Sequence, residues 1–399
     1  MLHAREDNSH TRRRLFRTAK VNGIFAVCSC LRNATTLSPQ RHRQRPAIIT
    51  GSWLPGPPSR LISASLPAMA AVSVILPVFN AASTISRAIH SILHQTLTDL
   101  ELIVVNDGST DGTWDTVANI RDPRLRAVSI EHGGVASAAN HAVTCAQAPV
   151  IARMDADDYA HPDRLRLQLQ QLTEQNLDVI GSCVRIVDPT SAPSQTLARY
   201  QQWINEETRT SEQILALRFV EFPLVNPTIL AKRSYFELKC LDNDLPEDYD
   251  LMLRAAAAGM RFGKTPEVLL DWTDHPTRLT RCDARYSRQA FDRCRRQHLL
   301  TGPLQSARTV DLWGVGRTGK AWLRWLQSRG FTVRRAYEVN DRKVDTRIHG
   351  VLVQAADQLA AADGTPLLIA VGAAGARDLI RPQILARQYR PGRDAWFVS

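Results

Sequence analysis

Three groups of acidic residues stand where a chain of this pattern would gather a ligand. Asp107 ends the apolar run in "LELIVVNDGSTDG"; Asp155, Asp157 and Asp158 crowd together in "VIARMDADDYAHPDR"; Glu247 and Asp248 follow Pro246 in "LPEDYDLMLRAAAAG". The middle cluster is the most demanding. Two carboxylates about 5 Å apart, at an effective dielectric near 20, repel by roughly 3 kcal/mol. Either one of them binds a proton or a cation sits among them. A hard divalent ion, Mg2+ or Mn2+, meets that need: it takes one or two protein carboxylates and completes its shell with water and phosphate oxygens. A D-x-D on a tight turn therefore points to a diphosphate ligand, although alone it is more often a solvated turn that caps a helix. Asp248 stands near a helix N-terminus, where peptide dipoles favour the anion. An ionised carboxylate there can take the proton of a nearby hydroxyl. On its own, a Glu-Asp pair commonly does no more than decorate a helix start.

Such groups need elements that hold them together. "VSVILPVF" (72–79), "LELIVVND" (100–107) and "PVIARM" (149–154) are short continuous apolar runs, the pattern of strands buried on both faces. Between them, Ile85, Ala88, Ile89, Ile92 and Leu93 recur at helical spacing, and "GGVASAANHAVTCA" reads as a small-residue helix packed close to a sheet. Pro162 suits the first position of a helix with Leu165, Leu169 and Leu172 on one stripe, and Gly259 suits the end of the helix opened by Pro246. Strands alternating with helices predict a largely parallel sheet covered on both faces. In such sheets ligands collect at the carboxyl ends of the strands, where all three acidic groups fall.

The pattern restarts after about residue 300. "TVDLWGVGRTGKAWLRWLQSRGFTVRRAYEVND" reads as strand, glycine turn, helix and strand, and "VLVQAADQLAAADGTPLLIAVGAAGARDLIRPQIL" adds at least one further strand and helix. Gly314, Gly316 and Gly319 form a GxGxxG between strand and helix, with Glu338 about 20 residues on, the spacing of a dinucleotide-binding turn. A ligand-binding role and a purely structural or docking role both remain open for this segment. The domain limits expected are 1–70 for a leader, 71–300 for the acidic domain and 301–399 for the second unit.

The net charge of +11 would ordinarily suggest nucleic acid or membrane partners, but residues 1–68 hold eleven Lys and Arg against two acidic residues. The body is close to neutral, so nucleic acid is not an expected partner. The leader lacks periodicity and carries "SWLPGPPSR" before Met69; it reads as an over-extended start, a disordered tail or a weak export signal. Seven scattered cysteines without a CxxC suggest reduced thiols rather than a disulfide framework or a zinc site, and no apolar run is long enough to span a bilayer.

"VSVILPVFN", "LELIVVNDGSTDG", "VIARMDADDYAHPDRLRLQLQQL" and "PEDYDLMLRAAAAG" occur in the order and approximate spacing of glycosyltransferase family 2, and residues 71–300 resemble that family. The resemblance implies an α/β fold of the GT-A nucleotide-diphospho-sugar transferase type, with a small Rossmann-like α/β domain appended. It implies an inverting, metal-dependent enzyme of surface-polysaccharide synthesis, acting in the cytoplasm or at the inner membrane face. Its partners would be a nucleotide-diphosphate sugar, UDP-linked, and a glycan or lipid-linked acceptor. Carried over by position, Pro77, Phe79 and Asn80 would line the base pocket and Asp107 would hydrogen-bond the base. Asp155 would approach the ribose or the metal shell, Asp157 would be the direct ligand of Mn2+ or Mg2+, and Asp158 would assist. Asp248 would be the general base, with Glu247 positioning the acceptor. His275, in "LLDWTDHPTRLTR", falls where relatives contact the diphosphate or metal. Two departures stand out. Asn106 replaces a usual Asp, leaving Asp107 to carry the pocket, and Ala139 replaces a usual Arg, which removes one phosphate contact. The rival readings are a non-catalytic nucleotide-sugar-binding regulator and an NAD-dependent oxidoreductase built on residues 301–399.

Overall fold

The structure is a computed structural model that describes residues 70–188, 194–241, 244–373 and 375–399. Almost the whole of the basic leader lies outside the described residues. The larger sheet has eight strands in the order β3-β2-β1-β4-β7-β6-β8-β5. They are β1 (Val72–Val78), β2 (Leu100–Asp107), β3 (Leu125–Ile130), β4 (Val150–Arg153), β5 (Tyr159–Ala160), β6 (Val179–Val187), β7 (Leu230–Lys232) and β8 (Phe262–Thr273). β1, β2, β3 and β4 run parallel, as do β6 and β8, while β7 is antiparallel to β4 and β6. β1 is buried along its whole length and β2 almost so, which is why both are apolar without alternation.

Helices of seven residues or more accompany the sheet: α1 (Ile85–Leu93), α2 (Thr113–Asn119), α3 (Gly134–Cys145), α4 (Arg164–Glu174), α5 (Gln195–Glu206), α6 (Ser211–Leu217), α7 (Glu247–Ala257) and α8 (Arg288–Thr301). The small residues of α3 have a packing reason: Ala136, Ala138, Ala139 and Ala142 are buried, so the helix axis lies close to β1 and β2. α4 begins two residues later than the proline suggests, with Asp163 as its N-cap. α7 begins at Glu247 behind Pro246, and Gly259 takes φ +78° just past its end, where a side chain would be strained.

Register delivers the acidic groups to one edge. Val78 pairs with Asn106, so Phe79 leaves β1 where Asp107 ends β2, and Arg153 at the end of β4 pairs with Ile75. β8 brings Trp272 and Thr273 beside the last residues of β6, and Tyr159 of β5 pairs with Asp271.

Residues after α8 build a six-stranded sheet, β11-β12-β10-β9-β13-β14. Its strands are β9 (Thr309–Trp313), β10 (Thr332–Glu338), β11 (Arg347–Ile348), β12 (Val351–Ala355), β13 (Leu367–Ile369) and β14 (Ala395–Phe397), with α9 (Arg317–Ser328) and α10 (Ala376–Ala386). The two sheets share apolar packing. Leu217 of α6 is buried in a cluster with Trp313, Ile369 and Phe397, and Arg295 of α8 donates to the carbonyls of Val220 (3.0 Å) and Val398 (3.5 Å).

Candidate active site

The site is built where β1, β2, β4 and β8 end. At the first wall, Phe79 is 46% exposed and stacks on His132, with ring centroids 4.3 Å apart and planes 27° from parallel. Asp107 is buried and places His132. The backbone N–H groups of Gly133 and Gly134 donate to its two oxygens at 2.8 and 2.9 Å, and His132 Nδ1 lies 3.0 Å from Oδ2. Gly108, at φ +67°, lets this turn pass under His132, whose backbone N a Cβ at position 108 would meet at 2.9 Å. Asn80 adopts φ +48°, a conformation asparagine tolerates. It stitches β1 to the following loop, donating its N–H to Ser109 Oγ (2.9 Å) and accepting from Thr110 N–H (2.8 Å). Pro77 is buried in β1 opposite Val105, inside the sheet rather than on a pocket wall. Asn106 is buried as well and donates to Ser129 Oγ at 2.9 Å.

The second wall is the acidic turn. Its members are held from three directions. Arg153 Nε donates to Asp155 Oδ1 (2.9 Å). His275 Nε2 lies 2.9 Å from Asp157 Oδ2. The Thr273 N–H donates to Asp158 Oδ1 (2.8 Å), while Arg87 and the Thr273 hydroxyl both donate to the Asp157 carbonyl at 2.6 Å. Asp158 is buried, and its Oδ2 has no partner among the described residues. Burial, with the charges of Asp157 and Asp155, pushes its carboxyl well above the ordinary range. Hard oxygen donors, an orphaned buried carboxylate oxygen and excess negative charge are the features a divalent cation of the Mg2+ or Mn2+ type would satisfy.

The third wall is the N-terminus of α7. Asp248 is half-buried and accepts from the Tyr249 N–H at 2.7 Å. Burial, then the charge of Glu247, pushes Asp248 well above the ordinary carboxylate range, and Asp155 adds to the effect across the site. Glu247 is buried under Tyr286, whose hydroxyl lies 2.7 and 2.6 Å from its two oxygens. Its carboxylate therefore faces Tyr286, and Asp248 is the group left open. Arg153, buried between the two acidic walls, exerts its charge on Asp155, Glu247 and Asp248.

Sequence reasoning passed over His132, Arg153, Arg87, Thr273 and Tyr286. His132 had one signal, its place before a glycine pair that starts a helix. Arg153 had another, a charge closing an apolar strand. The rest are defined by contacts across 39 to 186 residues of chain, for which no local pattern exists.

The GxGxxG turn is accounted for largely by packing. Gly314 takes φ +95°, and a Cβ on Gly319 would fall 1.8 Å from the Gly314 carbonyl oxygen, so that glycine lets α9 approach β9. Glu338 stands at the spacing of an acid that could hold a ribose hydroxyl. Its carboxylate instead accepts from the N–H groups of Val315 (3.3 Å) and Val339 (2.9 Å) and from Lys343 Nζ (3.0 Å). With that acid spent on its own loop, the residues present do not fit a dinucleotide, and none is assigned to this domain.

Residues 73–237 match the family model "Glycosyl transferase family 2". That match falls on an α/β region whose mostly parallel sheet gathers acidic groups at its strand ends. Residues 73–237 are thus similar to that family over less than half of the chain. The chain is 40% identical over 121 residues to a chondroitin synthase of Pasteurella multocida, covering 30% of this chain and 12% of that protein. It is 34% identical over 218 residues to the uncharacterized glycosyltransferase EpsJ of Bacillus subtilis, covering 52% of this chain and 62% of that protein. The chain therefore spans from about an eighth to under two thirds of these relatives' lengths. Among solved structures, it is similar to S. aureus TarS 1-349 in complex with UDP-GlcNAc, with 20% identity, a TM-score of 0.47, and coverage of 59% of this chain and 68% of that one.

Proposed function

We propose that this protein is an inverting glycosyltransferase that moves a sugar from a nucleotide-diphosphate donor, UDP-linked, to a hydroxyl of a glycan or lipid-linked acceptor in surface-polysaccharide synthesis. The observation that carries the reading is the convergence of Asp248 with the Asp155–Asp158 turn: the charge of Asp155 reaches the Asp248 carboxyl although 93 residues separate them. The base would lie against Phe79, with Asp107 shaping the pocket through His132 and the Gly133–Gly134 turn. Asp157, with Asp155 and Asp158, would hold Mn2+ or Mg2+, which when bound supplies charge neutralisation for the diphosphate.

Asp248 takes the proton of the acceptor hydroxyl as its oxygen bonds to the anomeric carbon, on the face opposite the departing nucleotide. The bond from that carbon to the diphosphate oxygen breaks, so an α-linked donor yields a β-glycoside. Glu247, fixed by Tyr286, positions the start of α7 and with it Asp248. Among relatives, a succinoglycan biosynthesis protein of Rhizobium meliloti (32% identity over 209 residues) supports the polysaccharide setting. Among the described residues no helix is long and apolar enough to cross a membrane; we place the protein in the cytoplasm, meeting a lipid-linked acceptor at the inner membrane face.

The test is a thermal-shift screen of nucleotide sugars with and without Mn2+, followed by nucleotide release with the stabilising donor. A donor that binds at a hundred times its Kd raises stability by about 2.7 kcal/mol. Stabilisation only with metal present, together with release, is expected. Binding without release in the presence of varied acceptors would favour a non-catalytic regulator.

A further inference from the structure

The start of α7 and the middle of α8 bring three unlike donor atoms together. Asp250 stands in the first turn of α7, two residues after Asp248; Cys294 and His298 lie four apart on α8 and so share one face of it. A carboxylate oxygen of Asp250, the Cys294 sulfur and a ring nitrogen of His298 all lie within 4.8 Å of one another. Asp250 and Cys294 are buried, and the His298 side chain is 12% exposed, which leaves a way in at one edge. None of the three has a part in the transfer chemistry described above.

The cluster is arranged as a metal's ligands are. Asp250 Oδ1 lies 2.8 Å from His298 Nε2, while its Oδ2 accepts from Arg254 Nε at 2.8 Å. Arg254 is fixed in turn by the carbonyls of Leu238 (2.6 Å) and Lys239 (2.7 Å). It is thus the outer partner that orients a ligating carboxylate and leaves the other oxygen for an ion. Burial would raise the Asp250 carboxyl, but the hydrogen bonds from His298 and Arg254 bring it below its ordinary value, so it is ionised. An Asp–His–Arg network accounts for those residues without the thiol. Cys294 is free and buried, and among the described residues its sulfur has no hydrogen-bond partner. Burial, then the charge of Asp250, holds that thiol above its ordinary range. A divalent cation between the two reverses this, binding the thiolate and releasing its proton to water.

The donor types select the ion. Thiolate, imidazole and one carboxylate are a borderline-soft set that suits Zn2+, in contrast to the oxygen donors of the acidic turn. One thiolate and one carboxylate neutralise a divalent charge, so the buried site carries no net charge of its own. Around a tetrahedral ion the ligating nitrogen and oxygen stand about 3.3 Å apart, so the Asp250–His298 pair has to part by only about half an ångström. The fourth position is left for water. No CxxC marks the site, because its third ligand comes from a different helix.

We propose that Asp250, Cys294 and His298 bind Zn2+ and so clamp the start of α7, with Asp248, against α8. The test is spectroscopic titration of the chelator-stripped full chain with Co2+, followed by competition with Zn2+. Co2+ should produce a thiolate-to-cobalt charge-transfer band in the near ultraviolet and strong tetrahedral d–d bands in the visible, and Zn2+ should abolish both. Cys294→Ala, with the other cysteines intact, should lose the charge-transfer band. His298→Gln should weaken Co2+ binding about tenfold or more, since even the loss of an outer partner costs that much. Asp157→Ala, in the acidic turn, should keep both the band and the affinity. A full chain without a charge-transfer band in excess Co2+ overturns the proposal and leaves an ion-pair network beside a buried thiol. A band that persists in Cys294→Ala overturns it too. Should Cys294→Ala fail to fold, His298→Gln decides, because it keeps the buried thiol: unchanged Co2+ affinity there overturns the proposal.

Discussion

The hydroxyl of Tyr286 lies 2.7 and 2.6 Å from the two carboxylate oxygens of Glu247, across 39 residues of chain. A phenol has one proton, so it cannot donate to both oxygens in full. Burial raises the Glu247 carboxyl above its ordinary range, and a protonated carboxyl would donate one contact while accepting the other. Tyr286→Phe removes the partner and leaves a buried oxygen unsatisfied. We expect a loss of about 1–3 kcal/mol in unfolding free energy, read from urea denaturation. Transfer should slow while donor affinity holds, because the start of α7 loosens and the nucleotide pocket does not.

The acidic turn and Asp248 should separate in a paired measurement. Asp157→Ala should weaken binding of a UDP-sugar in Mn2+ and abolish metal dependence. Asp248→Asn should bind donor and metal as before, while nucleotide release with an acceptor falls on the order of a hundred- to ten-thousandfold. Near-normal release in Asp248→Asn would remove Asp248 as the base.

Asp248 also carries a signed pH dependence. Its pKa in the fold is raised by burial and by Glu247, so the fold favours the protonated form. The stability this contributes is full below the unfolded carboxyl value and is lost as pH rises through the folded one. Transfer should therefore rise with pH as the group ionises. At neutral pH, Asp248→Asn should melt about 2–4 °C above the parent, a difference that shrinks toward pH 4.

Lys264 of β8 is buried and donates to the carbonyls of Ile204 (2.6 Å) and Pro223 (3.0 Å) and to Thr208 Oγ1, and among the described residues it has no carboxylate ion pair. Burial lowers its pKa from 10.5 to about 7. A depressed value contributes stability that is full above 10.5 and is lost as pH falls toward 7. Lys264→Met forfeits the lysine's hydrogen bonds and does not titrate. Its deficit against the parent should narrow by about 1.4 kcal/mol per unit as pH falls from 9 to 7. A pH-independent difference in unfolding free energy would show that the lysine keeps its charge in the fold.

Two glycines of one motif should behave differently. Gly319→Ala puts a Cβ on the Gly314 carbonyl and should cost about 3 kcal/mol or more. At Gly316 a Cβ meets nothing within 4 Å and φ is −68°, so Gly316→Ala should stay within about 1 kcal/mol. Denaturant midpoints of the two variants decide it.

The local physics of the chain determined the elements. Apolar runs such as "VSVILPV" and "LELIVVND" can only be buried strands, the alanines of α3 predict close packing, and Pro246 with Gly259 brackets α7. Because acidic residues follow those strands, their meeting at one sheet edge was legible as well, and so was the similarity of residues 73–237 to a known family. What the side chains do once they meet was not. Glu247 and Asp248 are adjacent in sequence and look interchangeable, yet the step of about 100° between neighbouring helical residues sends one under Tyr286 and leaves the other open. Glu338 has the spacing of a ribose ligand, and Lys343 with three backbone amides takes it instead. Arg278 and Trp272 lie six residues apart with no pattern to join them until β8 ends and the chain folds the guanidinium over the indole. Periodicity and turn chemistry act over a few residues and can be read in order. Hydrogen-bond partners and burial depend on groups a hundred residues away, and only the closed sheet brings them within 3 Å.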